Sequence, residues 1–273
     1  EAAQTKGARV LDIRGGWVGY CLDSNVIVAR EGARAQFGPL IFDAADGLEL
    51  DVEAQTLRCW GVKVSRKGET LEGEDCYFDL TSRRGMVRYF GEEGVERAVF
   101  TIHNLRPPQA SDLSQDAFQG RDWDGSTWLV CRQASYFLGE KIVLRRAVLY
   151  SEGQKVFSFP PYWVIGLAGY SGASNTQVLG VSTDGGLAVD FPFFYRVTTE
   201  WAGSVRIQKG ARGTSFIARD GWSLGLSEEY RSGDVKGTIE VGGLFTNDWG
   251  IEWRDERPVF GDSQGYFSLS WPD

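Results

Sequence analysis

Histidine and methionine are nearly absent from this chain of 273 residues, which contains one of each. His103 is the only imidazole, so neither a His-rich zinc site nor a two-histidine ligand set can be assembled from this sequence. A Ser-His-Asp triad would have to use His103 itself. The scarcity of histidine therefore excludes many hydrolase and metal sites, and no cofactor is predicted.

The sequence also lacks the long apolar run and the basic charge that mark two other classes of protein. No 18 consecutive residues are apolar, so no transmembrane helix is predicted. The 29 Lys and Arg residues are outnumbered by 37 Asp and Glu residues, and this acidic balance argues against nucleic-acid binding. The first residue is Glu1 instead of Met, which indicates removal of a leader or of a longer N-terminus and favours export.

Cysteine is infrequent, and the four cysteines show neither a CxxC motif nor zinc-like spacing. They are Cys21, Cys59, Cys76 and Cys131. An even number is compatible with disulfides in an oxidising compartment, and buried single thiols explain it equally well. The sequence leaves both alternatives open.

What the sequence does contain is apolar and polar residues alternating with a period of two, as in residues 57–64 and 201–207. Clusters of Gly, Asp and Asn interrupt these runs about every eight to twelve residues, which is typical of sequential antiparallel strands. Helical periodicity is hard to find. The pattern predicts an all-β protein.

The first third of the chain repeats itself at an offset of 36 residues. VAREG at 28–32 returns as VSRKG at 64–68, and Phe42-Asp43 returns as Phe78-Asp79. Units of this size cannot bury an apolar face alone, so they stack on one another. We therefore predict a folded-over, repeating antiparallel sheet in the N-terminal part.

The last third alternates so that one face of each strand is apolar, with aromatic residues near the strand ends, and the other face is polar. The predicted apolar face includes Trp201, Leu224, Val241, Ile251 and Leu269. A lipid-facing barrel wall with aromatic girdles has this pattern. A soluble sandwich alternates in the same way, and the sequence does not reveal where the apolar face points.

Taken together, the two halves resemble the lipopolysaccharide-assembly outer-membrane protein family, also called organic solvent tolerance proteins. The N-terminal units, with LEGE at 71–74 and YFD at 77–79, are similar to the family's periplasmic folded-sheet domain. The segment AVLY at 147–150 followed by KVFSFPPY at 155–162 resembles the family's phrase at the start of its barrel. GGLAVDFPFFY at 185–195 resembles an early barrel strand.

The resemblance implies a periplasmic, jellyroll-like or taco-like folded sheet at 1–98, a connector at 99–154 and an outer-membrane β-barrel portion at 155–273. It implies no enzyme activity. The implied function is transport of lipopolysaccharide or a related lipid, with the outer membrane, a plug lipoprotein and periplasmic bridge proteins as partners. The family's barrel is larger, so 155–273 is expected to be an incomplete or shortened barrel. Family disulfides couple the two domains, whereas all four cysteines here precede Lys155.

The same resemblance implies two sets of functional residues. An apolar groove for acyl chains is expected from alternate residues of the folded sheet: Val26, Val28, Leu40, Phe42, Val62, Val64, Phe78 and Leu80. Ordinary core is the alternative for each of them. Prolines on early barrel strands form the family's lateral exit, which implies this role for Pro160, Pro161 and Pro192. A bend between the domains is the alternative there.

Two further interpretations concern the aromatic and acidic residues. Asp122 and Asp124 flank Trp123 and could suggest a glycosidase, although acidic clusters in loops mostly face solvent. The second is a soluble extracellular β-rich protein that binds glycans through its tryptophans. Dependence on detergent separates this alternative from the lipid-transport hypothesis.

Overall fold

The computed structural model describes residues 9–92, 94–106, 125–159, 161–168, 174, 179–181, 187–210, 221–247, 249–260 and 263–272. Its regular elements in these residues are all β-strands, and the described ladders are antiparallel. The all-β prediction is confirmed. The chain divides into two compact units, Glu1–Phe159 and Pro160–Asp273, and each is described by itself below.

The first unit holds the strands β1 to β12. They are β1 Val10–Cys21, β2 Val26–Arg30, β3 Ala33–Phe37, β4 Leu40–Asp51, β5 Thr56–Arg66, β6 Glu69–Asp79, β7 Arg84–Gly91, β8 Gly94–Thr101, β9 Thr127–Phe137, β10 Lys141–Arg145, β11 Val148–Ser151 and β12 Gln154–Ser158.

In the first unit, strands β2 and β3 together occupy the place of one long strand between β1 and β4. Strand β2 pairs with one half of both neighbours and β3 with the other half. The sheet then continues in sequence order from β4 to β8. On the other side of β1 lies β9, which in turn pairs with β10 and β11.

This sheet folds over on itself, as two rings on distant strands demonstrate. Phe42 lies on β4 and Phe100 on β8, so a flat sheet would hold them about 19 Å apart, since neighbouring strands are about 4.8 Å apart. Their ring centroids are 6.3 Å apart. Both side chains are fully buried. The predicted folded-over sheet therefore encloses an apolar interior.

Glycines lie along one line across the sheet, at positions where the pairing of neighbouring strands is interrupted. Gly16 donates its N–H to the carbonyl of Glu31, between β2 and β3, 3.0 Å away. A Cβ on Gly47 would lie 2.9 Å from the carbonyl oxygen of Ala29, and one on Gly61 would lie 2.6 Å from Asp46 Oδ2. Bulges re-aim strands, and glycine tolerates both the close approach and the positive φ. These glycines interrupt regular strand geometry along one line.

The two copies of the repeat share a backbone conformation but use it differently. Glu31 and Gly32 have φ of 61° and 72°, and Lys67 and Gly68 have 47° and 87°. The first dipeptide breaks one long strand into β2 and β3, whereas the second is the two-residue turn of the β5–β6 hairpin. The left-handed dipeptide therefore recurs in both copies, but the first separates two parts of one long strand and the second reverses the chain.

Part of the stretch expected to be a connector, 99–154, lies within this folded sheet. Strand β9 pairs along nearly the whole of β1, from Val10↔Phe137 to Cys21↔Trp128. Strands β10 and β11 then pair with β9. Local patterning does not reveal a pairing between segments that are more than 100 residues apart in sequence, which is why these strands were expected to connect rather than pack.

The second unit holds the strands β13 to β20, with β15 to β20 paired in sequence order. They are β13 Tyr162–Gly166, β14 Leu179–Val181, β15 Leu187–Val197, β16 Trp201–Lys209, β17 Trp222–Ser232, β18 Val235–Leu244, β19 Gly250–Phe260 and β20 Ser263–Pro272.

Candidate functional site

All eight residues predicted to line the apolar groove are buried, with at most 3% of any one exposed. Strand register brings one subset together, because Phe42 is directly opposite Val64 and Ala44 opposite Val62. The rings of Phe42 and Phe78 have centroids 5.3 Å apart. The interior of the folded sheet thus combines residues from β4, β5 and β6.

Four phenylalanines fill this part of the interior. Phe78 contacts Phe37, Phe42 and Phe100, with ring centroids 5.8, 5.3 and 5.6 Å away, respectively. Because these rings are in direct contact, no gap as wide as an acyl chain remains between them. An acyl chain that passes this level must therefore displace at least one of the rings.

Val26 and Val28 lie on the other face of the sheet. Directly opposed residues share a face, and Val28 is opposite Glu49, which is in turn opposite Arg58. Glu49 forms an ion pair with Arg58, with 3.5 Å between the charged atoms. Ile27 instead shares the row of Leu50, Leu57 and Phe78. The core-facing residues of β2 are therefore Ile27 and Ala29, in place of the predicted valines.

The four cysteines are buried free thiols. Burial raises the pKa of Cys131 to about 12, and it also raises the pKa values of Cys59 and Cys76. At neutral pH these three thiols are therefore protonated, and the thiolate is the nucleophilic form. They do not form a reactive site in the folded first unit.

The second unit exposes apolar side chains in a continuous row across four strands. Val205 is opposite Leu226, Leu226 is opposite Val241, and Val241 is opposite Ile251. Leu226 and Ile251 are each 39% exposed. Leu224, also in the predicted apolar set, is half-buried, and the side chain of Leu269 lies outside the described residues. An apolar surface thus covers one face of this sheet.

Aromatic residues border this apolar row at both ends of the strands. At one end, Trp201 is opposite Tyr230, and the Trp201 indole Nε1–H donates to Glu228 Oε2 at 2.5 Å. At the other end, Trp222 is 61% exposed, and Lys209 Nζ lies 5.6 Å from its ring centroid. Each border therefore combines an aromatic ring with a polar group.

The opposite face of the same strands is polar and buried. Ser204 is opposite Ser227, which is opposite Glu240, which is opposite Glu252. Ser204, Ser227 and Glu252 are buried, and Glu240 is half-buried. Across β16 to β19 the apolar row is therefore the more exposed one and the polar row the more buried one, which reverses the order of a soluble domain.

Ion pairs and unsatisfied polar atoms characterise this inner face. Arg206 donates two hydrogen bonds to Asp190, at 2.8 and 2.5 Å. Four buried polar atoms find no hydrogen-bond partner among the described residues: Ser204 Oγ, Gln208 Oε1, Ser223 Oγ and Glu252 Oε2. An unsatisfied buried polar group costs about 1–3 kcal/mol in a dry interior. The inner face is therefore suited to water or to a polar partner.

Of the prolines predicted to form a lateral exit, Pro161 adjoins one of two neighbouring strands and Pro192 lies in the other, since β13 pairs with β15. Pro161 is exposed and precedes β13, whereas Pro192 is buried in β15 opposite Arg206. The described ladders on the other side of β15 involve Leu187–Val189 with β14 and Phe194 with Tyr162 of β13. Pro192 lies between these two ladders. Pro160 lies outside the described residues.

The sequence did not predict that the buried polar row, or the aromatic residues that border the apolar row, would form a site. Their signal was present, because Asp190, Arg206, Gln208 and Ser223 occupy the polar positions of alternating strands. Asp122 and Asp124, the carboxylates weighed as a glycosidase site, lie outside the described residues. His103 is exposed in a turn after β8.

Within the part of the chain that the structure describes, no group of three or more His, Cys, Asp or Glu side chains is arranged to hold a metal ion. None of the described segments forms a helix of the length and apolarity needed to traverse a bilayer. Comparison with known proteins found neither a matching protein-family model nor a matching curated sequence.

Proposed function

We propose that this protein takes part in the transport and assembly of lipopolysaccharide, or a related lipid, at the outer membrane. The first unit would be the periplasmic lipid-binding domain and the second unit the membrane-embedded portion of a barrel. The observation that carries the proposal is the reversed polarity of the second unit, with Leu226 and Ile251 exposed on one face and Ser227 and Glu252 buried on the other. Transmembrane β-barrels have this arrangement.

The length of the apolar band supports this proposal. Eight residue steps separate Trp201 from Lys209 on β16, which corresponds to about 26 Å along an extended strand. The apolar band of outer-membrane barrels is about 25 Å tall and is bordered by aromatic girdles. Trp and Tyr suit these borders because one end of the side chain is apolar and the other forms hydrogen bonds.

The inner polar face supports the same proposal by its energetics. Four unsatisfied polar atoms would together cost several kcal/mol in a dry core, at about 1–3 kcal/mol each. Water in a barrel lumen, or a plug lipoprotein inserted there, would provide hydrogen bonds for them. Proline has no N–H to donate to a ladder, so Pro192 within β15 supports a weak seam near β13 and β15, through which lipid would leave sideways.

The acyl-chain path in the first unit would follow the residues that face the interior. These are Leu40, Phe42, Val62, Val64 and Phe78, with Leu80 buried next to the end of β6. Each methylene that leaves water contributes about 0.8 kcal/mol, so even a short length of enclosed chain offsets the displacement of a phenylalanine ring. Periplasmic bridge proteins would deliver the lipid to this domain.

Photo-crosslinking in cells that make lipopolysaccharide tests the path. A benzoylphenylalanine at position 42 or 78 should capture lipopolysaccharide, because both side chains face the interior. Position 28 is the matched control, since Val28 is equally buried but lies on the opposite face. Position 84, which is exposed, is the surface control. Equal labelling at all four positions, or none at 42 and 78, would contradict a lipid path in this domain.

Partitioning of the full chain tests the membrane assignment separately. We expect the protein to need detergent for solubility and to float with vesicles after reconstitution. A chain that stays monomeric and folded in buffer without detergent, and that is retained on immobilised glycans, would instead support the glycan-binding alternative.

A further inference from the structure

Cys59 and Cys76 face each other directly on the neighbouring strands β5 and β6. Directly opposed residues share a face of the sheet, and here both thiols are buried and free. In the described ladders, the other two cysteines face different residues: Cys21 is opposite Val26 and Trp128, and Cys131 is opposite Val18. Cys59 and Cys76 are therefore a matched pair within one hairpin.

The geometry of an antiparallel pair suits a disulfide. Opposed residues have Cα atoms about 4.5 or 5.5 Å apart, depending on the hydrogen-bonding position, and both values lie within the range of about 4.4–6.8 Å found in disulfides. Their Cβ atoms, typically about 4.5–5.5 Å apart, need to approach by about 1 Å. A local adjustment of one strand pair therefore suffices.

We propose that Cys59 and Cys76 are an oxidation site that closes into a cross-strand disulfide when the chain folds in an oxidising environment. The oxidant is a disulfide, either that of a thiol oxidase or oxidised glutathione. One cysteine thiolate attacks the oxidant and expels one thiolate, which leaves a mixed disulfide. The second cysteine thiolate attacks this mixed disulfide and expels the other thiolate. The two cysteine thiols lose two protons and two electrons, and the oxidant becomes two thiols.

Burial determines when this reaction takes place. In the folded first unit the two residues are 0% and 1% exposed, so a disulfide oxidant cannot reach them. Burial also raises both thiol pKa values and keeps the nucleophilic thiolate scarce. The disulfide therefore forms while the β5–β6 hairpin is still open to solvent, and it then fixes the hairpin register. The disulfide would form whether or not this domain carries lipid.

Refolding of the full chain tests the proposal. The reduced, urea-unfolded protein is refolded into detergent with oxidised glutathione, alkylated under denaturing conditions and digested without reductant for mass spectrometry. We expect a linked peptide pair that contains Cys59 and Cys76, lighter by two hydrogen atoms than the sum of the separate peptides. Cys21 and Cys131 should be alkylated. A sample folded before the oxidant is added should form the link much more slowly.

Two alanine variants provide matched controls. Cys131→Ala removes a buried thiol outside the pair and should leave the linked peptides unchanged. Cys76→Ala should abolish the link and leave Cys59 fully alkylated. Alkylation of Cys59 and Cys76 to the same extent as Cys21 in the refolded wild-type chain would overturn the proposal, as would a link from either residue to Cys21 or Cys131.

Discussion

The rings of Phe78 and Phe100 stack nearly parallel, with 9° between their planes and 5.6 Å between their centroids. Both residues are directly opposite Gly85, which lies on the strand between them. A Cβ on Gly85 would be closer to both rings than real Cβ contacts are. The absence of a side chain at position 85 is therefore what allows the two rings to cover the strand between them.

Gly85→Ala is predicted to destabilise the folded sheet by about 1–3 kcal/mol, the usual cost of forcing an extra methyl group into a packed core. The measurement is the free energy of unfolding of the full chain in urea. Gly221→Ala is the matched control, because a Cβ there meets no atom within 4 Å, and its effect should be small. Equal stabilities of the two variants would contradict the packing described for Phe78 and Phe100.

Alternation in the sequence predicts the strands well, because burial of one sheet face imposes a period of two. The same alternation predicts less directly how the sheet folds over. The line of glycines across the sheet includes Gly47 and Gly61, whose positive φ depends on contacts with neighbouring strands. Gly61, for example, has no distinctive sequence context, yet its backbone lies against Asp46. The β1–β9 ladder joins distant segments and leaves no local signal.

Arginine on the exposed apolar row should weaken membrane insertion of the second unit. Leu226→Arg and Val241→Arg place a charge near the middle of the proposed lipid-facing band, where it costs about 2–4 kcal/mol. The measurement is the urea midpoint of unfolding from vesicles. Val156→Arg is the control, because Val156 is an exposed apolar residue on β12 of the first unit. If all three variants unfold at the wild-type midpoint, the row does not face lipid.

Removal of one partner of the Asp190–Arg206 pair should destabilise the inner face of the second unit. Both side chains are about 15% exposed, so Arg206→Met leaves a largely buried carboxylate and should cost about 3–5 kcal/mol. Adding Asp190→Asn to this variant should recover much of the loss, because it removes the uncompensated charge. A double variant less stable than Arg206→Met would show that the pair does not act as a unit.

The candidate site was predicted in part, and the reasons for the gaps differ. Phe42 and Phe78 were assigned to one interior, and their rings are in contact. The repeat placed Val28 in this interior. Ala33 and Ala35 are buried on β3, however, and counting back from them in steps of two reaches Ala29 and Ile27 as the inward residues of β2. For the second unit, the two faces were readable from the sequence. Which face is exposed depends on how the sheet curves, and only the structure gives that.

The glycine line across the first sheet leads to the last prediction, which separates backbone strain from steric conflict. Gly32 and Gly47 both have positive φ, 72° and 126°. A Cβ on Gly32 would meet no atom within 4 Å, whereas one on Gly47 would lie 2.9 Å from the carbonyl oxygen of Ala29. Gly32→Ala should therefore cost about 1–2 kcal/mol from its left-handed conformation alone.

Gly47→Ala should cost more than Gly32→Ala, because the strand that carries Gly47 must also move away from β2. A φ of 126° lies outside the small left-handed region that L-residues tolerate, which adds strain to the clash. The measurement is the difference between the two free energies of unfolding in urea for the full chain. If Gly32→Ala were as destabilising as Gly47→Ala, the close approach of the two strands at the glycine line would not be what requires glycine at position 47.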